Sequence, residues 1–293
     1  MNKLFKNSIL VAMSLGVMAT TSCKKREASV ADEDLPEATQ TESSADNSQA
    51  DEMQTHVYTV VHTEVSNVEE QSFKTGGSTL PADPCAIVTT SFDTITYNSK
   101  QYIYLDSMII DYGQAGGCTW GGRTKKGKII LTKNLKMSTV GCTMTVEFED
   151  FYVDGHKVEG IATLENKGYA NLQLTLHSTF YNGKITSPDL SKISTFETDR
   201  TIAIAPGNNR IITNIYGAQS GVNHLGVAYS AVVDSDKALL FIDDCKHPQK
   251  GVVTITSSGY PTLEVDFSGG NGACDDLAVV KINGTRYKQT LGL

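Results

Sequence analysis

After Pro81 the chain falls into short runs in which apolar and polar residues alternate, each bounded by Gly, Asn or Asp. Examples are Gln101-Tyr-Ile-Tyr-Leu105, Lys128-Ile-Ile-Leu131, Thr143-Met-Thr-Val-Glu-Phe148, Leu172-Gln-Leu-Thr-Leu176, Val252-Val-Thr-Ile-Thr256 and Leu263-Glu-Val-Asp-Phe267. A period of two puts every second side chain on one face, so such runs fold as half-buried antiparallel strands. Asp154-Gly155, Asn182-Gly183 and Asn283-Gly284 supply the positive φ that tight hairpin turns demand. No window of useful length keeps a helical period. The sequence therefore predicts an all-β, antiparallel body, sandwich-like or an extended sheet, with an internal repeat and a disordered tail before it. Two β-rich units are expected, 81–206 and 207–293, with a single continuous sheet as the alternative.

The N-terminus has a different texture. Lys3 and Lys6 precede an uncharged stretch from Asn7 to Ser22 whose apolar heart is Ile9–Met13 and Leu15–Met18. Sixteen residues, several of them polar, fall short of the roughly 20 that span a bilayer. A basic start, a short apolar stretch and then small residues predict a secretory signal peptide over 1–22. Ala19-Thr20-Thr21-Ser22-Cys23 resembles the lipobox of bacterial lipoproteins, with Ser22 in place and Thr20 where Leu is usual. That resemblance implies a lipid on Cys23, and several acyl chains anchor firmly where one anchors marginally. Lys24 follows in place of the Asp that resembles an inner-membrane retention signal, which implies the outer membrane, on its periplasmic or its surface face.

From Lys24 to Gln71 the chain carries 12 acidic and 3 basic residues, while residues 73–293 carry 21 and 20. Nearly all of the formal net charge of −8 thus sits before the body. Few large apolar residues precede His56, so residues 23–80 are predicted to be a disordered acidic tether that buries too little to offset its ordering entropy. Val57-Tyr58-Thr59-Val60-Val61 is the exception, an edge strand or a brief local element. A pI of about 5.3 excludes nucleic acid as a partner, because displacing counterions from phosphates needs a basic face.

The chain also repeats itself. Cys85, strands, Ile110-Asp111-Tyr112-Gly113, a glycine cluster and Cys118 are answered by Cys245, strands, Val265-Asp266-Phe267-Ser268, a glycine cluster and Cys274. Even cysteine pairs in an exported chain read as disulfides. Cys85–Cys118 and Cys245–Cys274 are the expected pairs, each worth about 3.7 kcal/mol in the chain-entropy picture. Cys142 is then a buried free thiol; Cys118 with Cys142 is the alternative pairing.

These stretches, with Gly122-Arg123, Lys126–Ile130, Phe151–Gly160, Cys274-Asp275-Asp276, Asn283-Gly284 and Tyr287, look like uncharacterised lipoproteins of Bacteroidetes. The resemblance covers most of 85–293 and implies no activity. This chain departs from that pattern with Trp120 after Cys118 and with Ser268 where a second Asp-Phe-Gly would stand.

No catalytic constellation is visible, and no cofactor or metal is expected. Gly217-Ala-Gln-Ser220-Gly221 misses the hydrolase elbow spacing by one residue and reads as a loop. His56 with His62, and His156 with Glu159, lack the further ligands a tetrahedral zinc site needs. Asp266, Asp275 and Asp276 offer oxygens for calcium, but their spacing fits no calcium loop, and Asp and Gly also simply make turns. Trp120 beside Arg123 is the candidate ligand contact, a ring and a guanidinium that could stack on a sugar or a partner. Thr94 and Ser107 stand in Asp-Thr-Ile and Asp-Ser-Met, similar to the short O-glycosylation motif of exported Bacteroidetes proteins. The function expected is an outer-membrane-anchored lipoprotein, a non-catalytic binding or envelope-structural module reaching the membrane through its lipid. A carbohydrate-binding accessory protein of a glycan uptake system is the alternative, so the partner would be a glycan or an envelope protein.

Overall fold

The computed structural model describes residues 38–74, 83–120, 122–207, 210–242, 245, 247–269 and 277–290. Among these residues one long helix, α1 (Ala38–Lys74), precedes fifteen strands. The first eight are β1 (Ile87–Tyr97), β2 (Lys100–Asp111), β3 (Cys118–Trp120), β4 (Arg123–Lys133), β5 (Thr143–Val153), β6 (His156–Ala170), β7 (Gln173–Thr186) and β8 (Ile193–Pro206). The rest are β9 (Ile211–Val222), β10 (Ala228–Val233), β11 (Leu239–Ile242), β12 (Val252–Ser257), β13 (Leu263–Asp266), β14 (Leu277–Ile282) and β15 (Thr285–Thr290). They form one antiparallel sheet in the order β1-β2-β4-β5-β6-β7-β8-β9-β10-β12-β13-β14-β15, with β3 added on β4 and β11 on β9. β1 and β15 are its edges, so the sheet is open.

Alternation carries the fold as expected. Inward residues of β4, β8 and β10 are buried at every second position, and the inner face holds a run of rings in which Phe148 stacks on Phe151 and Phe180, and Phe180 meets Phe196 at 4.8 Å. The sheet crosses the boundary expected at 206/207 without a break. β8 and β9 pair continuously from Thr195↔Val222 to Pro206↔Ile211, so the two-unit division gives way to the single sheet. Asp111 and Asp266 make the same turn, each accepting at 2.8 Å from the N–H two residues on, Gly113 and Ser268.

Two local readings need correction. Asn182-Gly183 is no hairpin: β7 runs through it as a bulge between Phe180 and Gly183. A Cβ on Gly183 would stand 2.6 Å from the carbonyl oxygen of Phe196, so glycine is required by the neighbouring strand. Likewise Gly217–Gly221 lies within β9 and not in a loop.

The larger correction concerns 38–74, expected as part of a disordered tether. It is a 37-residue helix, about 55 Å long, packed against the sheet and touching β2, β8, β9, β12 and β13. Among its buried positions, Asn47, Ala50, Asp51, Gln54, Val57, Tyr58, Val61, Glu64, Val65 and Val68 form a seam at spacings of three and four, with a seven-residue repeat through Asn47, Gln54, Val61 and Val68. Half of that seam is polar, which hid it from a search for apolar periodicity. Such a helix gains its stability from tertiary packing. The sheet supplies apolar partners for Met53, Val57, Val61, Val65 and Val68 within one continuous core, and cations for the acids.

The Cys85–Cys118 disulfide is formed and Cys142 is a buried free thiol, so the Cys118–Cys142 alternative falls. Cys245 is disulfide-bonded as well. Residues 1–22, Cys23, Cys274, Asp275 and Asp276 lie outside the described residues.

Candidate functional site

The ion pairs that seat α1 begin on β4. Ile129 and Leu131 face inward, and the period of two then puts Arg123, Lys125 and Lys133 on the same face. A buried cation needs a partner, because an unpaired charge away from water costs several kcal/mol. Arg123 pairs with Glu52 of the helix and, at 3.0 Å, with Asp154. Lys133 pairs with Glu69 of the helix, and Lys125 with Asp83 just before β1. On β8 the inward Arg200 meets Asp51 at 2.6 Å. Burial pushes the Asp51 carboxyl up against the pull of Arg200. Tyr58 extends this interior polar network, its hydroxyl accepting from Ser178 Oγ, and burial raises its pKa to about 12.

These contacts also give α1 a direction. Near its start, Asp46 accepts from the backbone N–H of His224 at 2.7 Å and lies 2.9 Å from His224 Nδ1, in the β9–β10 turn. Near its other end, Glu69 accepts from the Met137 N–H at 3.0 Å, in the β4–β5 loop. In an antiparallel meander alternate connections share an end. The β1–β2, β4–β5, β6–β7 and β8–β9 connections therefore ring the far end of α1.

Two clefts open there. The first, about 770 Å³, lies between α1 and the β1–β2 ribbon, lined by Phe92, Ile95, Tyr102, Ile103, Leu105 and Leu135. β2 pairs with β4 only over Ser107–Asp111, so the ribbon from Phe92 to Leu105 projects past the sheet and leaves one wall of this cleft standing alone. The second, about 860 Å³, lies on the other flank, lined by Tyr169, Leu172, Leu174, Ile204, Pro206 and Ile211. A thin crevice past Ile202, Ile215 and Tyr58 continues it along the helix. Glu69 and Lys136 border both clefts and form the wall between them. Clefts of this size and apolar lining suit a small apolar ligand. His62 lines the second cleft, and burial lowers its pKa, which keeps the ring uncharged near neutrality. The rim is unusually apolar for a surface: Ile103 is 63% exposed, Tyr169 64% and Ile211 51%.

The residues singled out from sequence fall elsewhere. Trp120 is exposed at the end of β3 and lines neither cleft. Arg123 is only 4% exposed and holds the helix, so it is no ligand contact. Thr94 is exposed on β1 and Ser107 half-buried on β2. His56 and His62 lie on α1, while His156 and Glu159 flank the β5–β6 hairpin, where Glu159 is engaged by Lys157 and Lys184. Asp266 is spent on its turn.

Sequence reasoning missed the clefts, and one signal could have found their setting. Three cations on the core face of β4, with parity fixed by Ile129 and Leu131, demand acids from another element, and 24–71 is where the unpaired acids are. Among the described residues one group of possible metal ligands gathers, Glu42, Asp46 and His224. It is knitted by its own hydrogen bonds, with Lys192 at 3.8 Å from Glu42. No family model, no curated protein and no solved structure matches this chain.

Proposed function

We propose that this chain is a non-catalytic binding protein, anchored through a lipid on Cys23 to the outer membrane, that holds an apolar ligand at the end of α1. The observation that supports the reading is the pair of apolar clefts beside that helix end, open to solvent and rimmed by exposed Ile103, Tyr169 and Ile211. Leaving so much apolar surface in water forgoes about 25 cal/mol for each Å² that a ligand would cover. The glycan alternative called for aromatic neighbours around Trp120, and among the described residues no ring contact of Trp120 occurs.

The test is titration of the detergent-solubilised full chain with a fluorescent fatty acid whose emission rises in apolar surroundings. Saturable enhancement, lost on competition with unlabelled oleate, is the expected result. A response no larger than that of the detergent alone refutes the reading. Intact mass of the same preparation tests the anchor: a mass without acyl groups on Cys23 removes the membrane attachment.

A further inference from the structure

We propose that the first cleft takes a β-strand, namely β2 of a second copy of this chain, so that two protomers join edge to edge. β2 pairs with β4 only over Ser107–Asp111, and β4 ends at Lys133. Among the described residues no strand therefore pairs with that side of Lys100–Asp106. Gln101 to Leu105, five consecutive residues, line the cleft. Successive side chains of a strand point to opposite faces, so neither face alone supplies all five. What the cleft follows is the strand's edge, where free backbone N–H and C=O groups take a further strand. The outer edges of the sheet are blunted by charges in mid-strand, Asp93 on β1 and Arg286 and Lys288 on β15. Gln101–Leu105 carries none. The pairing goes beyond the apolar-ligand reading and does not need it, because the second cleft lies on the other flank of α1.

A second copy is the occupant because this edge complements itself. Lys100-Gln-Tyr-Ile-Tyr-Leu-Asp106 has opposite charges at its two ends and near-symmetry about Ile103. When it is laid antiparallel to its copy across a two-fold axis at Ile103, Lys100 faces the partner's Asp106, Tyr102 the partner's Tyr104 and Gln101 the partner's Leu105. Alternation puts Lys100, Tyr102, Tyr104 and Asp106 on one face, so two tyrosine pairs stand between two ion pairs. On the other face Ile103, 63% exposed, meets its own counterpart. A slip of one residue would turn the partner strand over and part both ion pairs. The β1–β2 ribbon of each protomer then forms half of a four-stranded ribbon in the order β1-β2-β2-β1.

Sedimentation of the full chain in density-matched detergent tests this, with introduced cysteines to read the register. The expected result is a dimer that dissociates on dilution. Directly opposite residues of an antiparallel pair lie about 5 Å apart, within disulfide reach, so Ile103→Cys should cross-link to its counterpart on oxidation. Thr94, opposite Ile103 on β1, would lie three strand spacings, about 14 Å, from its counterpart, so Thr94→Cys should not. Lys100→Glu turns both ion pairs repulsive and should weaken the dimer about ten-fold, and Lys100→Glu with Asp106→Lys should restore it. Melting midpoints equal to the parent's check that each variant folds. A monomer at every concentration, a dimer indifferent to Lys100→Glu, or cross-linking through Thr94→Cys as readily as through Ile103→Cys overturns the proposal. Equal binding of a Lys100–Asp106 peptide and of its charge-reversed form also overturns it, since the edge would then take a foreign strand. Fatty-acid titration of the Lys100→Glu variant reads the ligand separately, so either reading can fail alone.

Discussion

Replacing Arg123 with Met tests how α1 is held. The substitution keeps most of the side-chain volume and removes the charge, leaving Glu52, 3% exposed, without its guanidinium. Breaking a buried pair from one side typically costs about 3–5 kcal/mol, most of it the penalty of the charge left behind. Here the lower end applies, because Glu52 Oε2 retains His247 Nδ1 at 3.9 Å and the other partner, Asp154, is partly exposed to water. About 3 kcal/mol, in a fold of this size, corresponds to a fall of roughly 6–12 °C in melting temperature. The double substitution Arg123→Met with Glu52→Met removes both charges and should recover most of the loss, since apolar replacement of a buried pair is often neutral or stabilising. Urea unfolding of the full chain followed by circular dichroism measures both, provided the slopes agree. A single-variant loss under about 1 kcal/mol, or a double variant as unstable as the single, would refute the docked helix. The first of those outcomes would return Arg123 to the surface role that the sequence suggested.

Three further expectations concern other groups. Serine at both Cys85 and Cys118 should cost about 3.7 kcal/mol by freeing the 33-residue loop in the unfolded chain; urea midpoints unchanged from the parent would contradict this. Cys142, buried and with its thiol pushed up by that burial, should resist maleimide in the native protein and react promptly in urea; rapid native labelling would count against its placement. Burial lowers the His62 pKa, so the unfolded chain takes up a proton first as the pH falls. Stability should therefore be fully present above about 6.5, decline as the pH drops from there through the lower folded value, and decline less in His62→Gln. Equal pH profiles for parent and variant would refute that assignment.

The strands were legible because their inward and outward residues differ in kind. Lys128–Leu131 and Val252–Thr256 declare their faces without help from the rest of the chain. Turn chemistry was less reliable. Asp154-Gly155 and Asn283-Gly284 do close hairpins with positive φ, whereas Asn182-Gly183 has the same local preference and is overridden by the passage of β8. The helix was illegible for a physical reason: its valines, threonines and serines are indifferent helix formers, and its seam alternates acids and amides with valines. Only the sheet makes those acids tolerable to bury, so the 38–74 segment depends on sheet residues 64 to 245 positions away. The clefts inherit that difficulty, because their shared wall is made where the helix end meets the β4–β5 loop.

The position of α1 also bears on the order in which the chain can mature. Each strand pairs largely with its neighbour in sequence, so the sheet can grow hairpin by hairpin as the polypeptide emerges. The helix enjoys no such locality: Ser44 donates to Gln289, 245 residues later, on the final strand. Although synthesised first, α1 finds its complete seat only when β15 has arrived. Until then the valines of the helix and the inner face of the sheet are both uncovered, a period when aggregation competes with folding. Truncating the last strand should therefore leave not a slightly shorter protein but an unsealed one.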